Sequence, residues 1–176
     1  FLILCANLNL QVINPTTPAN LFHAVRRQLH RDIRVPLITF TPKSLLRHPE
    51  CVSPINEFTE GHFRELIADH EMKDARKVKK LLLCSGKIYY ELNNARKESK
   101  AEHISIVRVE QLYPFPQTQF EELLKQYSAD VQLVWVQEEP LNMGGAQFVK
   151  NQLETFGLQV IGRAASGVTA EGLVAM

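Results

Sequence analysis

The chain has 176 residues, 45% of them hydrophobic and 22% charged, with a formal net charge of +1. That is enough apolar material to pack one domain or one and a fraction, and it excludes disorder along the whole chain. The near-neutral balance argues against general nucleic-acid binding, and no apolar run approaches the roughly 20 residues that span a bilayer.

The start, FLILCANLNLQ, is apolar but has no basic leader and no small-residue cleavage site. It reads as an element entered part-way, Phe1–Ala6 being the last turns of a helix. With no initiating Met, the expectation is a piece of a longer chain. Leu10–Ile13 is a short strand. Asn14-Pro15-Thr16-Thr17-Pro18 turns the chain into a helix, because Thr17 suits an N-cap and Pro18 the first helical position. The helix is expected over 18–31, with Leu21, Phe22, Val25 and Leu29 as its buried stripe and His23, Arg26, Arg27, His30 and Arg31 off it. Val35–Phe40 is the next strand. Strand, capped helix and strand within about 30 residues make a βαβ unit with a parallel pair.

The basic loop Thr41–Pro49 follows directly. From Glu50 to Lys80 the pattern weakens to polar residues, with one apolar patch at Phe63, Leu66 and Ile67 and a charged run at 73–80. A linker and domain boundary are expected at about 50–79. Strands are then expected at Leu81–Cys84, Ile104–Val109, Val131–Val136 and Leu158–Ile161. Helices are expected at Lys87–Lys97 (Tyr89, Tyr90 and Leu92 partly inward), Gln117–Tyr127 (Phe120, Leu123 and Leu124 inward) and Ala146–Phe156. Two prolines in Tyr113-Pro114-Phe115-Pro116 force a turn. Gln137–Pro140 ends its strand. The alternation predicts an α/β fold: an open, mostly parallel sheet with helices on both faces.

Three groups of residues invite a chemical reading. Lys43, Ser44, Arg47 and His48 follow a strand's carboxyl end, where two fixed cations and a hydroxyl suit a phosphate. The plain alternative is a loop whose cations pair with nearby carboxylates. Arg26 and Arg27 are candidates for the same site; their plainer reading is compensation of the helix's negative end. Second, Cys84-Ser85-Gly86-Lys87 lacks full phosphate-loop spacing, so Gly86 reads as a tight turn and Cys84 as a small buried group. Third, Arg108, Glu110 and Gln111 are polar groups on an otherwise apolar strand, delivered to an edge crevice. One of Glu138 and Glu139 is expected to pair with a cation such as Arg108. Trp135 reads as core, and His23 as a partly buried side chain with a hydrogen-bond partner. Three scattered cysteines, Cys5, Cys51 and Cys84, suggest neither a disulfide framework nor a zinc site. No complete catalytic or metal constellation is visible.

Several strings together resemble one family: TTPANLFHAVRRQ (16–28), PLITFTPKSLLRHP (36–49), LLLCSGKIYYEL (81–92), VRVEQLYPFP (107–116), QEEPLNMGG (137–145) and the tail GRAASGVTAEG (162–172). They resemble the carboxyl-terminal part of the thiamine-diphosphate-dependent first component of 2-oxoglutarate dehydrogenase complexes. Pyruvate-type and transketolase-type relatives keep the architecture but not these strings. The resemblance implies oxidative decarboxylation of 2-oxoglutarate in the tricarboxylic acid cycle. The succinyl unit would pass to a lipoyl-bearing succinyltransferase component. Thiamine diphosphate and Mg2+ would be held mainly outside this chain.

It further implies that residues 1–50 close a pyrimidine-binding domain, that 51–79 link, and that 80–176 form a transketolase-like carboxyl-terminal domain supporting a homodimer and its cleft. No catalytic or metal-ligating residue is carried over, and no nucleic-acid or membrane partner. Some relatives bind a regulatory nucleotide or acetyl-coenzyme A, matched here by Arg26 or Arg27 with Lys43, Ser44 and Arg47; a non-catalytic module binding AMP or acetyl-coenzyme A is the alternative. Val35 replaces a basic residue near that loop, and Ala164 and Thr169 replace tail prolines. The short link before Leu10 resembles bacterial members, implying a cytoplasmic protein, or a mitochondrial matrix one if eukaryotic.

Overall fold

The computed structural model describes residues 1–168; Thr169 and the end of the tail motif lie outside them. The βαβ unit is present. Strand β1 (Gln11–Ile13) runs into helix α1 (Pro18–His30) and returns as β2 (Leu37–Thr39), parallel to β1. The Thr17 hydroxyl accepts from Asn20 N at 3.2 Å, and Pro18 fills the first turn, as the turn sequence predicts. Phe1–Ala6 is not a helix end: only a 3-10 turn forms, over Leu2–Leu4.

The buried face of α1 differs from the one expected. Ala19, Asn20, His23 and Ala24 are buried, while Phe22, Val25 and Leu29 are 46%, 51% and 64% exposed. The inward stripe is small and polar because it meets polar partners, described below, and because Ala24 packs closely with Ile13 and Phe63.

The stretch expected as a linker is structured. It carries α2 (Ile55–Thr59), the edge strand β3 (Leu66–Ile67) and a 3-10 turn at Ala75–Lys77. Phe63, Ile67 and Val78 are buried. Too few apolar residues lie in sequence to show periodicity, yet Val78 joins the core of the larger sheet and Phe63 that of the smaller.

The remaining elements are β4 (Lys80–Cys84), α3 (Ile88–Ser99), β5 (Ile104–Val109), β6 (Gln111–Tyr113), α4 (Gln117–Leu124), β7 (Gln132–Pro140), α5 (Ala146–Gln152) and β8 (Gln159–Arg163). The expected α4 and α5 are longer than those observed, and a 3-10 turn at Glu154–Phe156 takes up the end of the latter. Strand β7 does not stop at Val136; it runs through Gln137–Pro140 with a register shift against β8. Gln137 makes this possible: its side chain accepts from Ala146 N and Trp135 Nε1 and donates to the Pro140 and Met143 carbonyls.

The larger sheet has the order β3-β5-β4-β7-β8, parallel except for the antiparallel edge β3. Leu81, Leu83, Val107, Val109, Leu133 and Trp135 alternate onto one face and pack with Phe120 and Leu123 of α4, Val149 of α5 and Leu153 at its C-cap. On the other face Arg108 stacks on Tyr89 of α3. The smaller sheet, β2-β1-β6, takes its third strand from far along the chain. Strand β6 pairs antiparallel with β1 immediately after β5 has left the larger sheet. A single residue, Glu110, separates the two strands.

Candidate functional site at the joined strand ends

Strand polarity puts the carboxyl ends of both sheets beside one another. In open α/β folds that edge is where ligands bind. The loop after β1 (Asn14–Thr17) meets the turn after β4: a Cβ on Gly86, which has φ +76°, would collide with the Asn14 amide. Lys87 Nζ lies 2.6 Å from Glu138 Oε1 at the end of β7. After β2, the loop reaches the same place, with His48 and Tyr90 ring centroids 4.4 Å apart. Asn14 Oδ1 and Ser85 Oγ, both at this junction, are buried and have no partner among the described residues.

Thr16 is the hub. Its N–H and hydroxyl donate to Glu110 Oε2 and Oε1 at 2.8 and 2.6 Å. Its hydroxyl oxygen accepts from Arg108 Nη1 at 2.9 Å. Its carbonyl accepts from Tyr90 Oη at 2.6 Å and from Cys51 Sγ at 3.2 Å. Asn20 Nδ2 supplies a third donor to Glu110, at 2.9 Å. Glu110 is fully buried, and burial holds its carboxyl above the ordinary range against the opposing pull of Arg108, Thr16 and Asn20. Three donors aimed at two oxygens fit the carboxylate form.

A second polar seam lies alongside. Arg27 donates to Glu65 Oε1 at 2.8 Å, Gln111 Oε1 at 2.7 Å and Gln11 Oε1 at 3.1 Å, and stacks over Phe63. Burial, with Arg31 nearby, lowers its pKa to about 10.

The residues singled out in the sequence divide accordingly. Arg108, Glu110 and Gln111 are all buried, so they line a seam between two sheets and not an open crevice. Arg108 pairs with neither Glu138 nor Glu139: it bonds Thr16, and Glu138 takes Lys87. Arg27 is occupied within its seam, which removes it from the anion group. Lys43, Ser44 and Arg47 sit exposed on a 3-10 turn, and Arg26 is exposed on α1. None of these four side chains has a hydrogen bond or ion pair with another described residue. His23 has the expected partner, the Glu57 carbonyl at 2.7 Å from Nε2. Cys84 is fully buried, and burial pushes its thiol up to about 12, which keeps it protonated and unreactive. Trp135 is core. Nothing local marks Thr16, Asn20 or Tyr90 for this role: a threonine and an asparagine beside a helix start look like turn chemistry, and a partly inward tyrosine looks like packing.

No group of three or more His, Cys, Asp or Glu among the described residues is arranged to hold a metal ion. The carboxylate at the centre of the site already takes three donors from Thr16 and Asn20, so it is not offered to a metal ion, and no described residue is assigned to a cofactor.

The family described as 2-oxoglutarate dehydrogenase C-terminal matches residues 52–176. The chain belongs to this family. Residues 1–49 match a second family, described as transketolase, pyrimidine binding domain. Among the chain's relatives, the 2-oxoglutarate dehydrogenase E1 component of Cupriavidus necator is 47% identical over 180 residues, covering 99% of the chain and 19% of the relative. That of Azotobacter vinelandii is 42% identical, covering 100% and 20%. A Dictyostelium discoideum protein named as a probable 2-oxoadipate dehydrogenase complex component E1 homolog is 40% identical, covering 94% and 19%. The chain thus spans about a fifth of the length of the curated relatives it matches.

Proposed function

We propose that this chain is the carboxyl-terminal part of a thiamine-diphosphate-dependent first component that decarboxylates 2-oxoglutarate oxidatively and passes the succinyl unit to a lipoyl group of a succinyltransferase component. Residues 1–50 close its pyrimidine-binding domain and 80–176 form its transketolase-like domain, with 51–79 laid across both. The supporting observation is the joint: two sheets, matching two families of that enzyme class, are knitted by β6 and by the Glu110–Thr16 network, so that their strand ends share one edge. Thiamine diphosphate and Mg2+ would be held mainly by residues outside this chain and would supply the electron sink for decarboxylation. This chain's own residues hold the loop after β1 and the Lys87–Glu138 pair at the edge of the cleft. An apolar skin supports a homodimeric context: among the described residues, twelve of the fifteen exposed large hydrophobics precede residue 56.

The full-length protein, supplied with thiamine diphosphate and Mg2+, is expected to release carbon dioxide from 2-oxoglutarate with reduction of an artificial electron acceptor. The 176-residue chain alone is expected to be inactive. Faster turnover of 2-oxoadipate would move the substrate assignment, and no turnover of either acid would remove the reading.

A second reading, an effector site for AMP or acetyl-coenzyme A, is favoured by Lys43 and Arg47, which have no partner among the described residues, on one short turn at the carboxyl end of β2. Ser44 and Arg26 complete the candidate group. Calorimetric titration of the full-length protein is expected to give heat with one of these ligands, and Lys43→Ala with Arg47→Ala is expected to abolish it. No heat with either ligand removes the effector site.

A further inference from the structure

We propose that Glu110 is a positioning residue: it fixes the Asn14–Thr17 loop against the carboxyl edge of the larger sheet, and so sets the geometry of the reaction cleft. The inference rests on the functional reading above for its kinetic arm only.

Glu110 stands where the chain leaves β5 of one sheet and enters β6 of the other. Five hydrogen bonds converge on it. Its N–H donates to the Glu65 carbonyl at 2.9 Å, and its carbonyl accepts from Asn14 N at 2.8 Å. Its carboxylate takes the Thr16 N–H, the Thr16 hydroxyl and the Asn20 amide. The two backbone bonds hold the sheets together. The three side-chain bonds hold the loop.

Proton directions make the carboxylate hard to replace. Arg108 has only donors, so the Thr16 oxygen must accept from it and the Thr16 proton must point at Glu110. An uncharged amide at position 110 would accept two of the three donors and present N–H groups to the third. It would also leave the buried Arg108 guanidinium without its counter-charge. The backbone bonds survive that change, so the expected result is a loosened loop on an intact fold. Loosening matters at this place because Asn14 packs on Gly86, and Gly86 precedes the Lys87–Glu138 pair. A displacement on the order of 1 Å at a reaction centre costs about a hundredfold in rate when it misaligns reacting groups.

The test uses the full-length protein with Glu110→Gln and Thr16→Val, and with Phe120→Leu as a destabilised control in the core under α4. Both loop variants are expected to lower kcat per folded, thiamine-loaded site by about tenfold or more, with KM changed by less than about threefold. Phe120→Leu is expected to lower thermal stability and leave kcat within about twofold of the unchanged protein. Hydrogen exchange supplies the second arm: the Thr16 amide, which donates to the Glu110 carboxylate, is expected to exchange about tenfold faster in Glu110→Gln, with the Asn14 amide, held by the Glu110 carbonyl, and the α4 and α5 amides unchanged. Unchanged exchange in the loop overturns the proposal. So does a kcat that falls no further in Glu110→Gln than in Phe120→Leu. If the unaltered full-length protein turns over no 2-oxo acid, the functional reading fails and the exchange arm alone decides the positioning role.

Discussion

Asp69 does two jobs with one carboxylate. Its Oδ2 accepts from Ile106 N of β5 at 2.9 Å and pairs with Arg96 of α3. Both side chains are buried or nearly so, at 4% and 10% exposure. Removing the carboxylate leaves an unmet backbone donor and a nearly buried guanidinium held by Glu71 and Asn93 through its other nitrogen, each costly in a low-dielectric interior. Asp69→Ala is therefore expected to destabilise by about 3 kcal/mol in urea unfolding. The surface pair Lys79–Asp130, both partners well exposed, should contribute nothing measurable by comparison. Cys84 offers a test in pH. Its folded pKa lies above its ordinary value, at about 12, so its contribution to stability is full below about pH 8.5 and is lost as pH rises toward 12. Below pH 9, an alkylating reagent is expected to label Cys5 and Cys51 in the native chain and Cys84 only in denaturant; native labelling of Cys84 would contradict the packing around it.

At the scale of elements, α1 separates composition from burial. Both of its stripes have helical spacing, and the larger apolar one is the conspicuous one. The smaller one is buried because Asn20 meets the Arg64 carbonyl and Glu110, His23 meets the Glu57 carbonyl, and Arg27 meets Glu65. Those polar groups, once under a neighbouring element, must be paired, and the pairing fixes the rotation of the helix. Ala24→Phe is expected to cost about 1–3 kcal/mol by overpacking against Ile13 and Phe63. Leu29→Lys on the outer stripe is expected to stay within about 0.5 kcal/mol. Urea denaturation of the two variants distinguishes which face is load-carrying in the chain. The same lesson holds for β7: Gln137 feeds its amide back into the turn that follows, and so carries the strand past the point where its apolar run ends.

For the molecule as a whole, the two sheets differ in what holds them. The larger one is built on the main apolar core, which Val12 and Leu112 of the smaller sheet also enter. The smaller one adds only a small core of its own, Ile13, Ala24 and Phe63, and polar bonds to its neighbour. Its outer surface keeps Leu8, Phe22, Val25, Leu29 and Ile33 in solvent. An apolar surface of that kind binds hydrophobic dyes and favours association. The 176-residue chain is expected to bind such a dye in its folded state and to sediment in a concentration-dependent way. Leu29→Lys with Ile33→Lys should reduce both effects; an unchanged profile would place the association elsewhere.

The sequence by itself determined the elements whose signals are local. The Thr17–Pro18 helix start, the strands at β4 and β5, the proline turn after Tyr113 and the parallel βαβ unit all follow from caps, β-branched runs and ring geometry within a few residues. It also carried the strings that mark the family. Tertiary structure alone decided which side of α1 is buried and that residues 50–79 add an edge strand to the larger sheet and Phe63 to the small core beside β1. It alone brought Thr16 and Glu110, 94 positions apart, to hydrogen-bonding distance. The physical reason is that a buried polar group needs a partner but does not name it. Only the folded chain, by choosing which strand ends share an edge, supplies the carboxylate that three separate donors require.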